Sequence, residues 1–239
     1  GLLIHLFGWS LMFFVDGITC ILASIVVFKI FYNQQVNAER KQEIKEIKKI
    51  GKTSVSILKD KPFLYFIFLT FVNAFVFMQL LWTIPVFFKE SLIFNEAQVG
   101  FMIAINGFIV AMVEMPLVYA IENQRSTTHW IKFGLILYGL SFFMLNLPFL
   151  GFAAALISII GLSFGEILVM PFSSNYVSKK AGMEKMGQYM ALYSIAYSVA
   201  NILAPLAGTS IVANFGYTVL WFFIGTLAFL VYFGFRWVK

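Results

Sequence analysis

The sequence predicts an all-α membrane protein with seven transmembrane helices. Composition is the first reason. Of 239 residues, 61% are apolar and only 12% charged, whereas a soluble domain carries about a quarter charged residues. Mean hydropathy is +0.88. The second reason is length: seven apolar stretches reach the roughly 20 residues needed to cross the hydrocarbon core. The third is charge, because the basic residues fall on alternate connections between those stretches. Disorder is excluded, since such a chain must hide its apolar surface. A soluble enzyme is excluded because its surface cannot be made polar enough. Cys20 is the single cysteine, so there is no disulfide framework.

The spans are expected near 9–31, 63–88, 98–121, 130–148, 150–177, 187–213 and 217–236. Each is apolar nearly all round and too long for a barrel strand, so each reads as a helix that satisfies its own backbone. The first is not a signal peptide: six more spans follow and no basic stretch precedes it. It carries Asp16 near its outer end, either a functional acid or a solvated capping residue. Residues 32–62 are the one long hydrophilic stretch. Ile44, Ile47, Ile50, Val55 and Leu58 recur there among Lys and Glu, which fits an amphipathic helix on the membrane surface or a solvated linker.

In the second span lie Asn73, Gln79 and Trp82, and in the third Asn106 and Glu114. The third and fifth spans also carry stripes of small residues, Gly100, Ala104, Gly107, Ala111 and Ala154, Ser158, Gly161, Gly165, which predict close helix packing. Glu166 follows the second stripe directly. The sixth span sets Tyr189, Tyr193, Tyr197 and Asn201 at i+4 on one face, either a cavity wall or an interfacial anchor plus packing. The seventh has almost no polar residue in its middle, as a lipid-facing support helix would. Pro171 and Pro205 predict kinks, while Pro85 and Pro116 fit kinks or simple helix ends.

Every basic residue except Lys89 falls in one set of connections: Lys29 through Lys61, Arg125 and Lys132, Lys179 through Lys185, and the C-terminal pair Arg236 and Lys239. Positive-inside bias places that set in the cytoplasm, the N-terminus outside and the C-terminus inside. An inner (plasma) membrane location is the expectation.

An ionised carboxylate in hydrocarbon is costly, so an acid inside a span is a functional candidate. Asp16, Glu114 and Glu166 are the acids so placed. No Lys, Arg or His lies at the depth of Glu114 or Glu166 to pair with them. An unpaired carboxyl in a low dielectric spends part of its time neutral, as a proton-coupling group must. The alternative is a protonated Glu bonded to neighbouring backbone or amides.

Two segments echo each other. Phe7-Gly8-Trp9 is followed by Phe13-Phe14 and Gly17, and Phe215-Gly216-Tyr217 by Trp221-Phe222 and Gly225, at the same spacing. Transporters are often built from repeats. The chain opens on Gly1 partway into the first copy, which predicts a piece of a longer protein. Gly165-Glu166 with Pro171 and Asn175-Tyr176-Val177 is similar to the tenth helix of drug/proton-antiporter-like members of the major facilitator superfamily. Gly187 to Tyr193 and Ala204-Pro205-Leu206-Ala207-Gly208 are similar to their eleventh. The resemblance covers essentially the whole chain.

It implies the C-terminal half of a twelve-helix fold. Residues 1–31 would be the last helix of the N-terminal half, 32–62 a cytoplasmic linker and 63–239 the C-terminal six-helix bundle. It further implies a central cavity lined by helices that here carry Asn73, Gln79, Trp82, Asn106, Tyr193, Tyr197 and Asn201, and an inner gate contact at Glu122 and Arg125. The expected activity is secondary active transport of a small organic solute by alternating access. Proton-coupled efflux through Glu166 and Glu114 is the main reading, with import by the same fold as an alternative.

A seven-helix receptor or sensor is a rival, but residues 217–235 hold no Schiff-base Lys and a receptor leaves the echo unexplained. Enzyme chemistry lacks convergent His, Cys or Asp clusters, and no Walker-type loop is present. The expected partners are the solute, protons, the bilayer and the N-terminal half of the same chain. No cofactor, metal or nucleic acid is expected.

Overall fold

The computed structural model describes residues 14–15, 17–29 and 57–238. Asp16 and the surface helix expected within 32–62 lie outside them, apart from the end of that stretch. The described residues fall into two units divided between Ser56 and Ile57, and among them there is no strand. In the first unit, α1 (Gly17–Lys29) is apolar and exposed along its length.

The second unit begins with a turn of 3-10 helix, Ile57–Lys59. Its helices are α2 (Lys61–Trp82), α3 (Ile84–Glu90), α4 (Glu96–Ile121) and α5 (Thr127–Met144). A long helical stretch, Gly151–Gly234, follows and is broken at Gly182 and Gly216. It divides into α6 (Gly151–Gly182), α7 (185–215) and α8 (217–234). Among the described residues, helical segments fall within each stretch where a span is expected, the first of them only in part. Lys61–Glu90, Glu96–Ile121, Gly151–Gly182 and Lys185–Gly234 are each long and apolar enough to cross a membrane. The 18 residues of α5 reach about 27 Å.

Local chemistry sets the boundaries. Asp60 caps α2 by accepting from the Phe63 N–H at 3.1 Å, and Pro62 occupies the first turn, where its missing N–H costs nothing. Asn95 and Gln98 form a reciprocal capping box at the start of α4. Gly182 (φ 62) and Gly216 (φ 80) adopt backbone angles that a side chain resists, and each reverses the chain between two spans. The glycine of the second echo segment is thereby explained as a turn residue. Pro85 opens α3, whereas Pro116, Pro171 and Pro205 lie inside helices, so Pro116 does not end α4.

The helices meet through small residues and aromatics. A Cβ on Gly165 would come within 2.6 Å of the Tyr138 ring, and one on Gly225 would collide with the Phe143 ring. The stripe in α6 is therefore a packing face, with Ser158 fully buried. The stripe in α4 is not packed within this unit: a Cβ on Gly107 would touch nothing within 4 Å, and α4 is the least buried of the long helices. Phe142 stacks on Trp221 at 5.9 Å and Phe66 on Tyr176 at 4.3 Å, the aromatic payload that dominates such a core.

At the end of the bundle where α2 begins, Tyr189 donates to Asp60 Oδ2 at 2.9 Å and lies against Phe63. Asp60→Ala removes both the cap and this bond between α2 and α7. The expected loss is about 1–2 kcal/mol, measured as a lower melting temperature of the purified protein in detergent. Tyr189→Phe, which keeps the cap, is expected to lose less.

Candidate functional site

The polar residues inside the second unit gather around Glu166. Ser163 and Glu166 are one turn apart on α6, and Asn106 faces them from α4. Asn106 Nδ2 donates to Ser163 Oγ at 3.0 Å and to Glu166 Oε2 at 3.0 Å. The Ser163 hydroxyl donates to the Ile159 carbonyl at 2.8 Å. Its proton is thereby committed, so it can only accept from Asn106. That fixes the orientation of the Asn106 amide, because both of its neighbours are acceptors. The half-buried Glu166 carboxylate receives one hydrogen bond and keeps the rest of its acceptor capacity.

Three more spans contribute. Tyr138, from α5, is fully buried with its ring against Gly165 and lies within electrostatic reach of Glu166. Tyr197, from α7, reaches both Glu166 and Asn73 of α2. The Tyr138 hydroxyl, the Tyr197 hydroxyl and Asn73 Oδ1 are all buried without a hydrogen bond of ordinary geometry. Tyr193 packs on Tyr197 with ring centroids 5.0 Å apart. Glu114 is half-exposed on α4 and within electrostatic reach of Glu166.

A second group lies where α2 gives way to α3. Trp82 Nε1 donates to Asn201 Oδ1 at 2.9 Å, and both residues are exposed. Gln79 has a different setting. It is fully buried, donates from Nε2 to the Ala204 carbonyl at 3.0 Å and accepts from the Thr83 hydroxyl. Gly208 makes room for it, since a Cβ there would stand 2.7 Å from Gln79 Oε1. Gln79 thus ties α2 to α7.

The structure therefore joins Asn73, Asn106, Tyr193, Tyr197 and Glu166 in one region, and Trp82 with Asn201 in another. It does not join Glu122 to Arg125: both are exposed at the end of α4 and beyond, with no ion pair between them among the described residues. Tyr138 and Ser163 are additions that sequence reading missed. The available signal was a hydroxyl in an apolar span flanked by small residues, as in Gly134, Tyr138 and Gly139. Among the described residues no three of His, Cys, Asp or Glu come together.

The Major Facilitator Superfamily model matches residues 1–205. A "Na(+), Li(+), K(+)/H(+) antiporter" of Planococcus maritimus is 29% identical over 200 residues, 76% of this chain and 46% of that protein. The chain thus spans about half the length of this relative. A POT family transporter, solved in complex with 5-aminolevulinic acid, superposes with a TM-score of 0.63 at 16% identity, over 94% of this chain and 53% of that one. That likeness establishes the fold. With a family match over most of its length, this all-α, multi-pass membrane chain belongs to the Major Facilitator Superfamily, a family of transporters rather than enzymes.

Proposed function

We propose that this chain supplies the C-terminal bundle of a proton-coupled secondary transporter that moves a small organic solute, with efflux as the working direction. The observation that carries the reading is the Asn106–Ser163–Glu166 group. It holds the Glu166 carboxylate at the junction of the helices, half-buried, with one donor directed at it and, among the described residues, no cation bonded to it. A carboxylate so held can bind a proton from one side and release it to the other, and the protein need only change which side has access. Glu114 is its neighbour on the route.

Solute contacts are assigned to Trp82 and Asn201, an aromatic surface beside an amide, with Tyr193 next to Tyr197 in the Glu166 group. Asn73, Asn106 and Tyr197 line the deeper end, and Gln79 holds α2 against α7. The exposed faces of α4 and α7 are where a second bundle would close the pathway. In this reading residues 1–31 belong to that other half, 32–62 link the halves, and Glu122 and Arg125 meet it at the inner mouth. The basic connections face the cytoplasm of an inner membrane. The Planococcus relative, an antiporter by name, supports protons as one exchanged species and adds alkali cations to the solutes worth testing.

The test is flux in proteoliposomes holding the intact protein. An imposed pH gradient is expected to drive uptake of an aromatic cation such as ethidium or tetraphenylphosphonium, or of an uncharged amphipathic dye, and a protonophore is expected to stop it. Flux indifferent to the pH gradient would defeat the proton-coupled reading.

A further inference from the structure

We infer that the end of α8 holds an anionic phospholipid, its phosphate on Arg236 and an acyl chain along the outer face of the helix. Phe223, Thr226, Leu230, Phe233 and Trp237 are all exposed and follow one another at alternating steps of three and four residues. That spacing puts them on one helix face. Ile224, Ala228 and Val231, on the other side, are buried in the bundle. An open, mainly apolar stripe therefore runs from the middle of α8 to its end. In the reading above a second bundle closes on α4 and α7, which leaves the stripe of α8 to lipid.

At the end of the stripe the chemistry changes. The Arg236 N–H donates to the Phe233 carbonyl at 3.1 Å and the Trp237 N–H to the Gly234 carbonyl at 3.1 Å. The chain thus keeps winding past Gly234, and Arg236 and Trp237 continue the stripe. The Gly234 carbonyl also accepts from the Tyr65 hydroxyl at 3.1 Å, which sets α2 beside this end of α8. Lys61 stands one turn before Tyr65 on the same face of α2 and is exposed. A cleft of about 460 Å³ is lined by Phe233, Arg236 and Trp237. Small-ligand sites fall in the same range, about 300–1,000 Å³.

These groups select the occupant. Arg236 is exposed, and among the described residues neither it nor Lys61 forms an ion pair. Asp60 is engaged elsewhere, accepting from the Phe63 N–H and from Tyr189 of α7. A guanidinium fork grips phosphate oxygens through two N–H groups at once. A soluble phosphate would use the basic groups and leave the stripe idle. A zwitterionic lipid would use the stripe but brings its own cation to the phosphate. An anionic phospholipid fits both: a chain along Phe223, Leu230 and Phe233, the phosphate at Arg236 with Lys61 as a second charge. Trp237 then sits at headgroup level, where indole rings settle. By the orientation proposed above, this end faces the cytoplasm and its negatively charged leaflet.

The experiment places the intact protein in phosphatidylcholine bilayers and replaces that lipid stepwise with phosphatidylglycerol carrying brominated chains. Bromine quenches nearby indoles, and the difference between wild type and Trp237→Phe isolates Trp237 from the other tryptophans. Brominated phosphatidylcholine is the reference. Half-maximal quenching of Trp237 is expected at a mole fraction of phosphatidylglycerol about fivefold or more below that of phosphatidylcholine, since each basic group near the surface contributes about that factor. Arg236→Gln and Lys61→Gln are each expected to raise the phosphatidylglycerol midpoint about fivefold without moving the melting temperature. Arg236→Lys, which keeps the charge and loses the fork, is expected to fall between wild type and Arg236→Gln. Both leaflets carry the same lipid, so the outcome depends neither on the chain's orientation nor on transport.

Equal midpoints for the two brominated lipids in the wild type would reduce the contact to an ordinary lipid annulus and overturn the inference. Trp237 left unquenched by either lipid would mean that protein covers the stripe, and would overturn it too. So would a phosphatidylglycerol midpoint unmoved by Arg236→Gln, or displacement of the lipid by millimolar inorganic phosphate, which would make this a site for a soluble anion. Lipid selectivity that persisted in a protein without pH-driven flux would leave this site standing while the transport reading fell.

Discussion

Replacing Glu166 with Gln is expected to bring pH-driven flux down to the baseline of protein-free liposomes while leaving the fold intact. Gln has nearly the shape of Glu and offers an oxygen that can accept from Asn106, so the contact at 3.0 Å between α4 and α6 survives. It has no proton to exchange near neutral pH. The melting temperature should therefore shift by less than the equivalent of about 1 kcal/mol. Solute counterflow, in which one solute molecule exchanges for another with no net proton movement, should persist. That split separates a coupling group from a structural one. A variant that lost counterflow and stability together would point to a role in packing. Glu114→Gln should slow pH-driven flux without abolishing it, because Glu114 is half-exposed and touches Glu166 only through its field.

The spans were legible because hydrocarbon leaves so little choice. A stretch such as 98–121 must be helical and apolar, and its polar exceptions advertise themselves. Glu166 and Asn106 stood out on that ground alone. Their partnership did not, because the residues lie on α4 and α6, and only the crossing of those helices brings Nδ2 to the carboxylate. Gln79 illustrates the opposite problem. By composition it is one more polar residue on a cavity helix. Its burial depends on Gly208, on another helix, leaving a hollow that its amide fills.

Small-residue stripes are equally ambiguous. Those of α4 and α6 have the same rhythm, yet one is packed and the other open within this unit. Sequence gives the shape of a face but not which neighbour reaches it. In the sequence Tyr138 is one aromatic among many. It gains its place because Gly165 lets its ring approach the backbone next to Glu166.

Gly134→Val is expected to damage stability and coupling together. At Gly134 a Cβ would stand 2.7 Å from Val169 Cγ2, 2.9 Å from the Gly165 carbonyl and 3.1 Å from Leu168 Cβ. The first neighbour is the end of a side chain and can turn aside. The carbonyl belongs to the α6 backbone and cannot, so α5 and α6 must separate. Valine adds further methyl groups beyond the Cβ, and overpacking of this kind costs about 1–3 kcal/mol.

The displacement cannot remain local, because Gly165 directly precedes Glu166 and also seats the Tyr138 ring. Moving α6 away from α5 shifts the carboxylate relative to Asn106 on α4, and it opens the close contact on which Tyr138 depends. The expected result is a clear fall in melting temperature together with loss of pH-driven flux in the protein that remains folded. Gly187→Ala is the matched control: its Cβ meets nothing within 4 Å, and it should change stability by less than about 0.5 kcal/mol. If Gly134→Val melted like the wild type, the close approach of α5 to α6 would be wrong, and with it the placement of Tyr138 beside the carboxylate.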